Sequence, residues 1–361
     1  MTKKLRTVIT HVGSFVLAGG LLYLALRGVD FAEMGEALRT AAWIWIVPML
    51  IITILSHVLR AWRWKILLDE IPTDGLPADA TPTTIPSVFG ALMIGYMSNY
   101  AAPRVGEVVR SAVIKRTHHL PLASVIGTVV VERVIDVVLL GVTVVTVLVI
   151  LADRLNVINE LFVEPWANQE GAGITGILVL VGLIAIGLTT FVLVRRHRRA
   201  DVHGESRLSR ALASFSDGLK TLTRTRQRGA LIWSSVLMLV AYTIMAYLPF
   251  VMFGMTDAYG ISIIDAYVIM IVGAVGVAIP SPGGIGSYHY VTIQVMVHLY
   301  GIDASHAATY AVFSHGGQLV LYTFIGFVAL LKMGIGVRGL RTEKGEADRA
   351  TQEGVAAKSL A

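Results

Sequence analysis

Long apolar stretches separated by short polar segments dominate the chain. About twenty helical residues, rising roughly 1.5 Å each, cover the hydrocarbon core of a bilayer. Six stretches reach or approach that length, at residues 7–26, 43–59, 121–151, 174–194, 230–253 and 307–331. The pattern therefore predicts an all-α polytopic membrane protein with six membrane-spanning helices.

Two further apolar stretches are interrupted by residues that break helices. Residues 263–300 contain two prolines and three glycines between Pro280 and Gly286, and residues 87–116 contain Pro103. Proline and glycine do not continue a helix, and lipid offers no water to satisfy the freed backbone groups. We interpret both stretches as re-entrant helical hairpins. The alternative is a short turn outside the membrane between two spans.

Basic residues are distributed unevenly between the two sides that this topology implies. If both hairpins return to their side of origin, one side carries the N-terminus, the basic segments 60–116 and 195–228, and the C-terminal tail. Cytoplasmic loops are enriched in Lys and Arg. The sequence therefore predicts a bacterial inner-membrane protein with both termini in the cytoplasm. The net charge of +6 is then explained by topology rather than by nucleic-acid binding.

The composition fits one membrane domain. Hydrophobic residues make up 55% of the chain and charged residues 15%, against about 25% charged residues in soluble proteins. We expect a transmembrane domain over residues 1–340, with an amphipathic surface helix at 206–228, and a disordered cytoplasmic tail over 341–361. Cysteine is absent and no metal-ligand spacing occurs, so the sequence predicts no metal site and no other cofactor.

The order of these elements indicates an internal inverted repeat. The second span, a hairpin entered from the cytoplasm and an outward span form one unit. The fifth span, a hairpin entered from outside and an inward span form its inverted copy. Inverted repeats with broken helices near the midplane are typical of transporters.

Three charged residues lie inside the third predicted span, in the pattern Glu132-Arg133-x-x-Asp136. Each charge at a helix centre costs about 2.5–3.5 kcal/mol on insertion scales. Arg133 and Asp136 share a helix face and are expected to pair. Charges at membrane depth usually face a cavity, which favours a role in binding a head group. A structural ion pair is the alternative.

A polar stripe follows the first helix break. Arg104, Glu107 and Arg110 are three residues apart, and the break exposes a helix N-terminus that favours an anion. Guanidinium groups bind phosphate through two parallel hydrogen bonds. The stripe is a candidate phosphate site, and an interfacial helix anchored by its charges is the alternative.

The second break offers a comparable set of polar groups. Freed N–H groups could bind an anionic head group, and the two histidines could relay protons. Ordinary hydrogen-bonding histidines are the alternative. The candidate residues are Pro282, Gly283, Gly284, Gly286, His289, His315 and Gln318.

Three motifs, in this order, resemble one known family. They are Pro103-Arg104-x-Gly106-Glu107-x-x-Arg110, Glu132-Arg133-x-x-Asp136 and Pro280-x-Pro282-Gly283-Gly284-Ile285-Gly286, with Arg60-x-x-Arg63-Trp64 also fitting. The set looks like the lysylphosphatidylglycerol synthase transmembrane, or flippase-like, family over residues 10–335. In two-domain members a cytosolic aminoacyl-transferase domain follows, and the membrane part moves the modified lipid across the bilayer. The resemblance therefore implies lipid handling.

The prediction from sequence is a flippase-like protein that binds or translocates an anionic lipid or a lipid-linked phosphate. Two alternatives remain open. One is an intramembrane transferase acting on a polyprenyl-phosphate or lipid head group, with Glu107, Glu132 or Asp136 as base. The other is a non-catalytic membrane partner of a separately encoded enzyme. The absence of a long soluble segment favours a role other than catalysis.

Overall fold

The computed structural model describes residues 16–72, 77, 80–101, 105–152, 220–221, 224–278 and 281–335. Regular structure in these ranges is helical. The helices are α1 (Val16–Leu26), α2 (Phe31–Thr40), α3 (Ile46–Leu68), α4 (Ile85–Ala101), α5 (Gly106–His118), α6 (Leu122–Ile150), α7 (Arg228–Met252), α8 (Met255–Tyr259), α9 (Ile263–Ala278), α10 (Ser287–Tyr300) and α11 (Ala304–Lys332).

Four helices in the described part of the chain are long and apolar enough to cross a membrane. They are α3 with its leading turn (Trp43–Leu68), α6, α7 and α11, and they match four of the six predicted spans. The predicted span at 174–194, the start of the first span, most of the surface helix and the C-terminal tail lie outside the described residues. So do Pro103, Arg104 and Pro280.

Helices α4 and α5 pack antiparallel on either side of the first predicted break. Their close approach depends on a pair of glycines, since a Cβ on Gly106 would overlap the carbonyl oxygen of Gly95. The backbone N–H of Gly106 also donates to Asn99 Oδ1 at 2.7 Å. This bond satisfies one of the N–H groups left free at the start of α5.

Helices α9 and α10 form a second antiparallel pair around the glycine-rich break. Gly273 and Gly276 of α9 lie against Tyr288 and Ser287 of α10. Gly283, Gly284 and Gly286 have φ angles of 60°, 76° and 84°, a region that other L-residues rarely adopt. The chain reverses here because glycine has no Cβ.

The two hairpins occupy equivalent places in a repeated arrangement. Helices α3, α4, α5 and α6 have 23, 17, 13 and 29 residues, and α7, α9, α10 and α11 have 25, 16, 14 and 29. The contacts correspond as well: α3 packs on α4 as α7 packs on α9, α5 packs on α6 as α10 packs on α11, and α3 packs on α7. The start of α3 meets the end of α7, where Ala42 N donates to Met252 O at 2.8 Å.

Candidate functional site

Glu132, in the middle of α6, is the centre of a buried ionic network. Its carboxylate accepts hydrogen bonds from Arg60 Nε at 2.9 Å and from Arg110 Nη1 at 2.8 Å. Arg63 Nη2 lies 3.5 Å from the same carboxylate. The side chains of Glu132 and Arg63 are fully buried. Guanidinium groups from α3 and α5 thus surround this carboxylate.

Asp136, one turn later on α6, is bound by the same two arginines of α3. Arg60 Nη2 donates to Oδ2 at 2.8 Å, and Arg63 Nη2 donates to Oδ1. Arg63 also donates through Nη1 to Ser235 on α7 at 3.1 Å. Residues three or four apart share a helix face, so the pair of arginines on α3 meets the pair of carboxylates on α6.

Arg133 lies within ion-pair distance of both carboxylates but is not their nearest partner. Its guanidinium nitrogens are 3.6 Å from Glu132 Oε1 and 3.5 Å from Asp136 Oδ2. The Arg133 side chain is 44% exposed, whereas that of Arg63 is fully buried. The expected contact between Arg133 and Asp136 exists, but Arg60 and Arg63 approach Asp136 more closely.

Sequence reasoning did not select Arg60 and Arg63 as site residues. Basic residues at the end of an apolar stretch are typical of a membrane interface, and they were interpreted in that way. The spacing Arg60-x-x-Arg63 could have found them. Two carboxylates on one apolar helix face require cations on a neighbouring helix, and these arginines have the matching period.

The network contains more positive than negative charge. Among the described residues, the guanidinium groups of Arg60, Arg63, Arg110 and Arg133 meet the carboxylates of Glu132 and Asp136. Glu107 lines a void of about 20 Å³ together with Arg110 and Arg133. With Glu107 counted as ionised, the described residues of the network still carry one excess positive charge.

Several polar atoms of this network lack a hydrogen-bond partner within the described part of the chain. Arg63 Nε and Arg110 Nη2 are buried donors, and Glu107 Oε2 is a buried acceptor. The Arg110 guanidinium also lies 4.4 Å from the centre of the Trp64 ring, a cation–π contact. Within the described residues, the network therefore contains two unsatisfied donors and one unsatisfied acceptor.

A cavity of about 520 Å³ lies between the two hairpins and is bounded by α3, α6, α7 and α11. Arg60 and Asp136 of the ionic network are part of its wall. Six tyrosines also line it: Tyr96, Tyr100, Tyr242, Tyr288, Tyr310 and Tyr322. The two hairpin tips touch here, because a Cβ on Gly283 would lie 2.7 Å from the Tyr100 ring.

The second hairpin contributes neutral groups to the same cavity. Gly283, His315 and Gln318 line it. The His315 ring stacks on Tyr288 at 4.9 Å and meets the His289 ring edge-on at 5.2 Å. In the turn of the second hairpin, Gly284 lies against Val277 and Gly286 lies against Ala18 of α1. The side chain of Pro282 is outside the described part of the structure.

A separate polar cluster occurs where α2 meets the start of α11. Donor atoms of Glu33, Asp303 and His306 lie within 4.8 Å of one another. Asp303 already caps α11 by accepting from the backbone N–H of Ser305 at 2.7 Å, and this hydrogen bond lowers the pKa of its carboxyl group. Glu33 and Asp303 are exposed. The cluster lies apart from the cavity and joins α2 to α11.

These features define a polytopic helical membrane protein with a charged, tyrosine-lined cavity between two helical hairpins. The family model described as the lysylphosphatidylglycerol synthase TM region matches residues 11–326, and the chain belongs to this family. The resemblance recognised in the sequence motifs is thereby confirmed. Searches of curated proteins and of solved structures returned no match.

Proposed function

We propose that the protein binds an anionic lipid, or a lipid-linked phosphate, by its phosphate in the central cavity and moves it between the leaflets of the membrane. The observation that carries this proposal is the uncompensated positive charge beside the cavity. A phosphate oxygen would pair with this charge, and the acyl chains would stay in lipid.

Arginine chemistry supports phosphate as the anion. A guanidinium group offers a planar fork of donors that matches two phosphate oxygens. Arg110 Nη2 is a buried donor without a partner among the described residues and lies at the small void beside Glu107, and Arg60 reaches the cavity itself. The proposal also includes Arg104 as a phosphate ligand, and Glu107 and Arg133 as further contacts of the head group. The glycine-rich turn of the second hairpin would present further N–H groups.

The proposal includes a bacterial inner-membrane topology. We propose six spans, with both termini cytoplasmic, and two re-entrant hairpins in an inverted repeat. The similar helix lengths and corresponding contacts of the two halves support this repeat. Single cysteines can test it, since the chain has none. At Thr84, cysteine should react only with reagents in the cytoplasm, and at Ser262 only with reagents outside. Labelling of both from one side would contradict the inverted repeat.

Binding and transport assays test the function. Purified protein in nanodiscs should bind fluorescent phosphatidylglycerol and ignore fluorescent diacylglycerol. Arg110→Lys should weaken binding because the fork is lost, and Arg110→Gln should weaken it further. Arg39→Gln is the matched control, since the Arg39 side chain is 83% exposed on α2. In sealed vesicles the protein should also move the anionic probe between leaflets. Equal binding of both lipids, unchanged by either Arg110 substitution, would refute the proposal.

A second candidate function, an intramembrane transferase, is favoured by one observation. Glu132 and Asp136 are held by arginines, whereas Glu107 Oε2 is buried without a partner in the described residues. Glu107 is therefore the carboxylate that could act as a general base. A transferase should turn over a polyprenyl-phosphate in detergent with a soluble donor, and Glu107→Gln should abolish turnover. A flippase shows its activity only in a sealed bilayer. If the protein is a flippase, a separately encoded transferase would act on the lipid that it moves.

A further inference from the structure

The first hairpin contains a small void behind the wall of the central cavity. The void measures about 20 Å³ and lies where α4, α5 and α6 meet. Polar side chains of all three helices line it: Tyr96 and Asn99 of α4, Glu107 and Arg110 of α5, and Arg133 of α6. Tyr96 and Asn99 also line the central cavity, so the two spaces share part of a wall.

Two atoms at this void are buried without a hydrogen-bond partner in the described part of the chain. They are a donor, Arg110 Nη2, and an acceptor, Glu107 Oε2. Arg110 is 3% exposed, and its other terminal nitrogen donates to Glu132 at 2.8 Å. Buried polar groups are nearly always hydrogen-bonded, either to protein or to ordered water. The void should therefore hold a group that accepts from Arg110 and donates to Glu107.

The size of the void selects the smallest group that can do both. Roughly 10–15 Å³ of such space is enough for one water molecule, whereas a phosphate group is several times larger than a water. A chloride ion would accept from Arg110, but it cannot donate to Glu107 and would be repelled by an ionised carboxylate. Water both donates and accepts, so it matches the two unpartnered atoms.

We propose that this void is a binding site for one water molecule, which accepts a hydrogen bond from Arg110 Nη2 and donates one to Glu107 Oε2. Because Arg110 also donates to Glu132, the water joins Glu107 to the ionic network and fixes the start of α5 against α6. The inference does not depend on the proposed function, since the void is formed without a lipid. An anion that reached Arg110 Nη2 would have to displace this water.

Radiolytic labelling read by mass spectrometry tests for the water directly. A brief X-ray pulse splits water, and the hydroxyl radicals modify side chains beside a bound water even where bulk solvent does not reach. Leu92 is the reporter, because it lines the void and is 1% exposed. Leu67 on α3 is 0% exposed and is the matched control. In full-length protein in nanodiscs, Leu92 should be modified and Leu67 should not. An unmodified Leu92 would overturn the inference.

Mixing with heavy-oxygen water just before the pulse distinguishes bound water from bulk water. Leu92 should still acquire light oxygen, because a buried water exchanges slowly, whereas exposed side chains should acquire heavy oxygen. Immediate heavy-oxygen labelling of Leu92 would show that the void is open to solvent and would overturn the site. Glu107→Leu, which removes the acceptor, should abolish the modification of Leu92. Glu107→Gln should retain it, because an amide still binds water.

Replacing chloride with gluconate separates water from an anion in the void. With water as the occupant, neither the modification of Leu92 nor the unfolding temperature should change. A lower unfolding temperature in gluconate, restored by chloride in the unaltered protein but not in Arg110→Lys, would assign the void to an anion and refute the proposal.

Discussion

The two hairpins have the same architecture but are held in place by different forces. The first, α4 and α5, is tied to the rest of the protein by charge, since Arg110 on α5 donates to buried Glu132. The second, α9 and α10, carries one charged side chain in its described helices, Asp265, which bonds locally to Ser262. Its turn depends on glycines with positive φ and on stacked aromatic and imidazole rings.

Under the proposed function, this difference would assign two tasks to one cavity. Charge is costly to bury and acts at a fixed point, so the first hairpin suits the capture of an anion. Neutral rings and amides discriminate by shape and hydrogen bonding, so under the proposed function the second hairpin would act by shape rather than by charge. Two copies of one helix arrangement thus supply different chemistry to a shared space.

The largest effect is expected from removing the carboxylate on which the first hairpin depends. Glu132→Gln leaves Arg60, Arg63 and Arg110 without their common counter-ion. Breaking a buried ion pair on one side costs about 3–5 kcal/mol. We expect loss of folded protein, measured by size-exclusion chromatography and by unfolding in detergent. The control is Asp265→Asn in the second hairpin, where the residue is only partly buried and bonds locally to Ser262, so the cost should be below about 1 kcal/mol. Equal costs would contradict the contrast between the hairpins.

The cost of removing an arginine of the network should follow how deeply that arginine is buried. Arg63→Gln should destabilise the protein by several kcal/mol, because Arg63 is fully buried and bonds Asp136 and Ser235. Arg133→Gln should cost about 1 kcal/mol or less, since its side chain is 44% exposed and its contacts are long. Denaturant unfolding of both variants measures the difference. If Arg133→Gln is the more damaging, the network is centred on α6 alone rather than on α3 and α6.

The sequence predicted the hairpins more completely than the network. Proline and glycine break a helix where they occur, so the helix breaks near Pro103 and Gly283 could be located from the sequence alone. The spacing of Glu132 and Asp136 placed both on one helix face. The spacing of Arg60 and Arg63 matches that of the two carboxylates, but the pairing of α3 with α6 is a tertiary fact that this spacing alone does not give. The tyrosine lining was missed for the same reason, since tyrosines from α4, α7, α10 and α11 converge only in the folded protein.

A smaller effect tests how the second hairpin depends on glycine. Gly286 has φ of 84°, and a Cβ there would overlap the carbonyl oxygen of Ala18 on α1. Gly286→Ala should therefore cost about 1–3 kcal/mol in backbone strain and also push α1 away. Gly254→Ala is the control, since Gly254 has φ of 68° with nothing within 4 Å of its added Cβ. The excess cost of Gly286→Ala over Gly254→Ala, from thermal unfolding, measures the clash. No excess would mean that α1 does not pack against this turn.

The smallest expected effect is a pH dependence of stability caused by His118, at the end of the first hairpin that lies opposite its turn. His118, at the end of α5, is buried and bonds Ser87 Oγ through Nε2 at 2.7 Å and Thr81 through Nδ1. Burial lowers the pKa of His118. The folded state thus favours the neutral ring, while the unfolded state takes up a proton near the ordinary pKa of about 6.5. Stability should be retained above that pH and should fall as the pH drops below it.

Thermal unfolding between about pH 8 and about pH 5 measures this dependence. His118→Gln keeps a hydrogen-bonding side chain but does not titrate, so its unfolding temperature should fall less on acidification than that of the unaltered protein. His298→Gln, at an exposed position near the end of α10, should leave the dependence unchanged. If His298→Gln flattens the profile and His118→Gln does not, the titrating group belongs to the second hairpin. The neutral hairpin would then be the one that responds to acid, the reverse of the contrast drawn from its contacts.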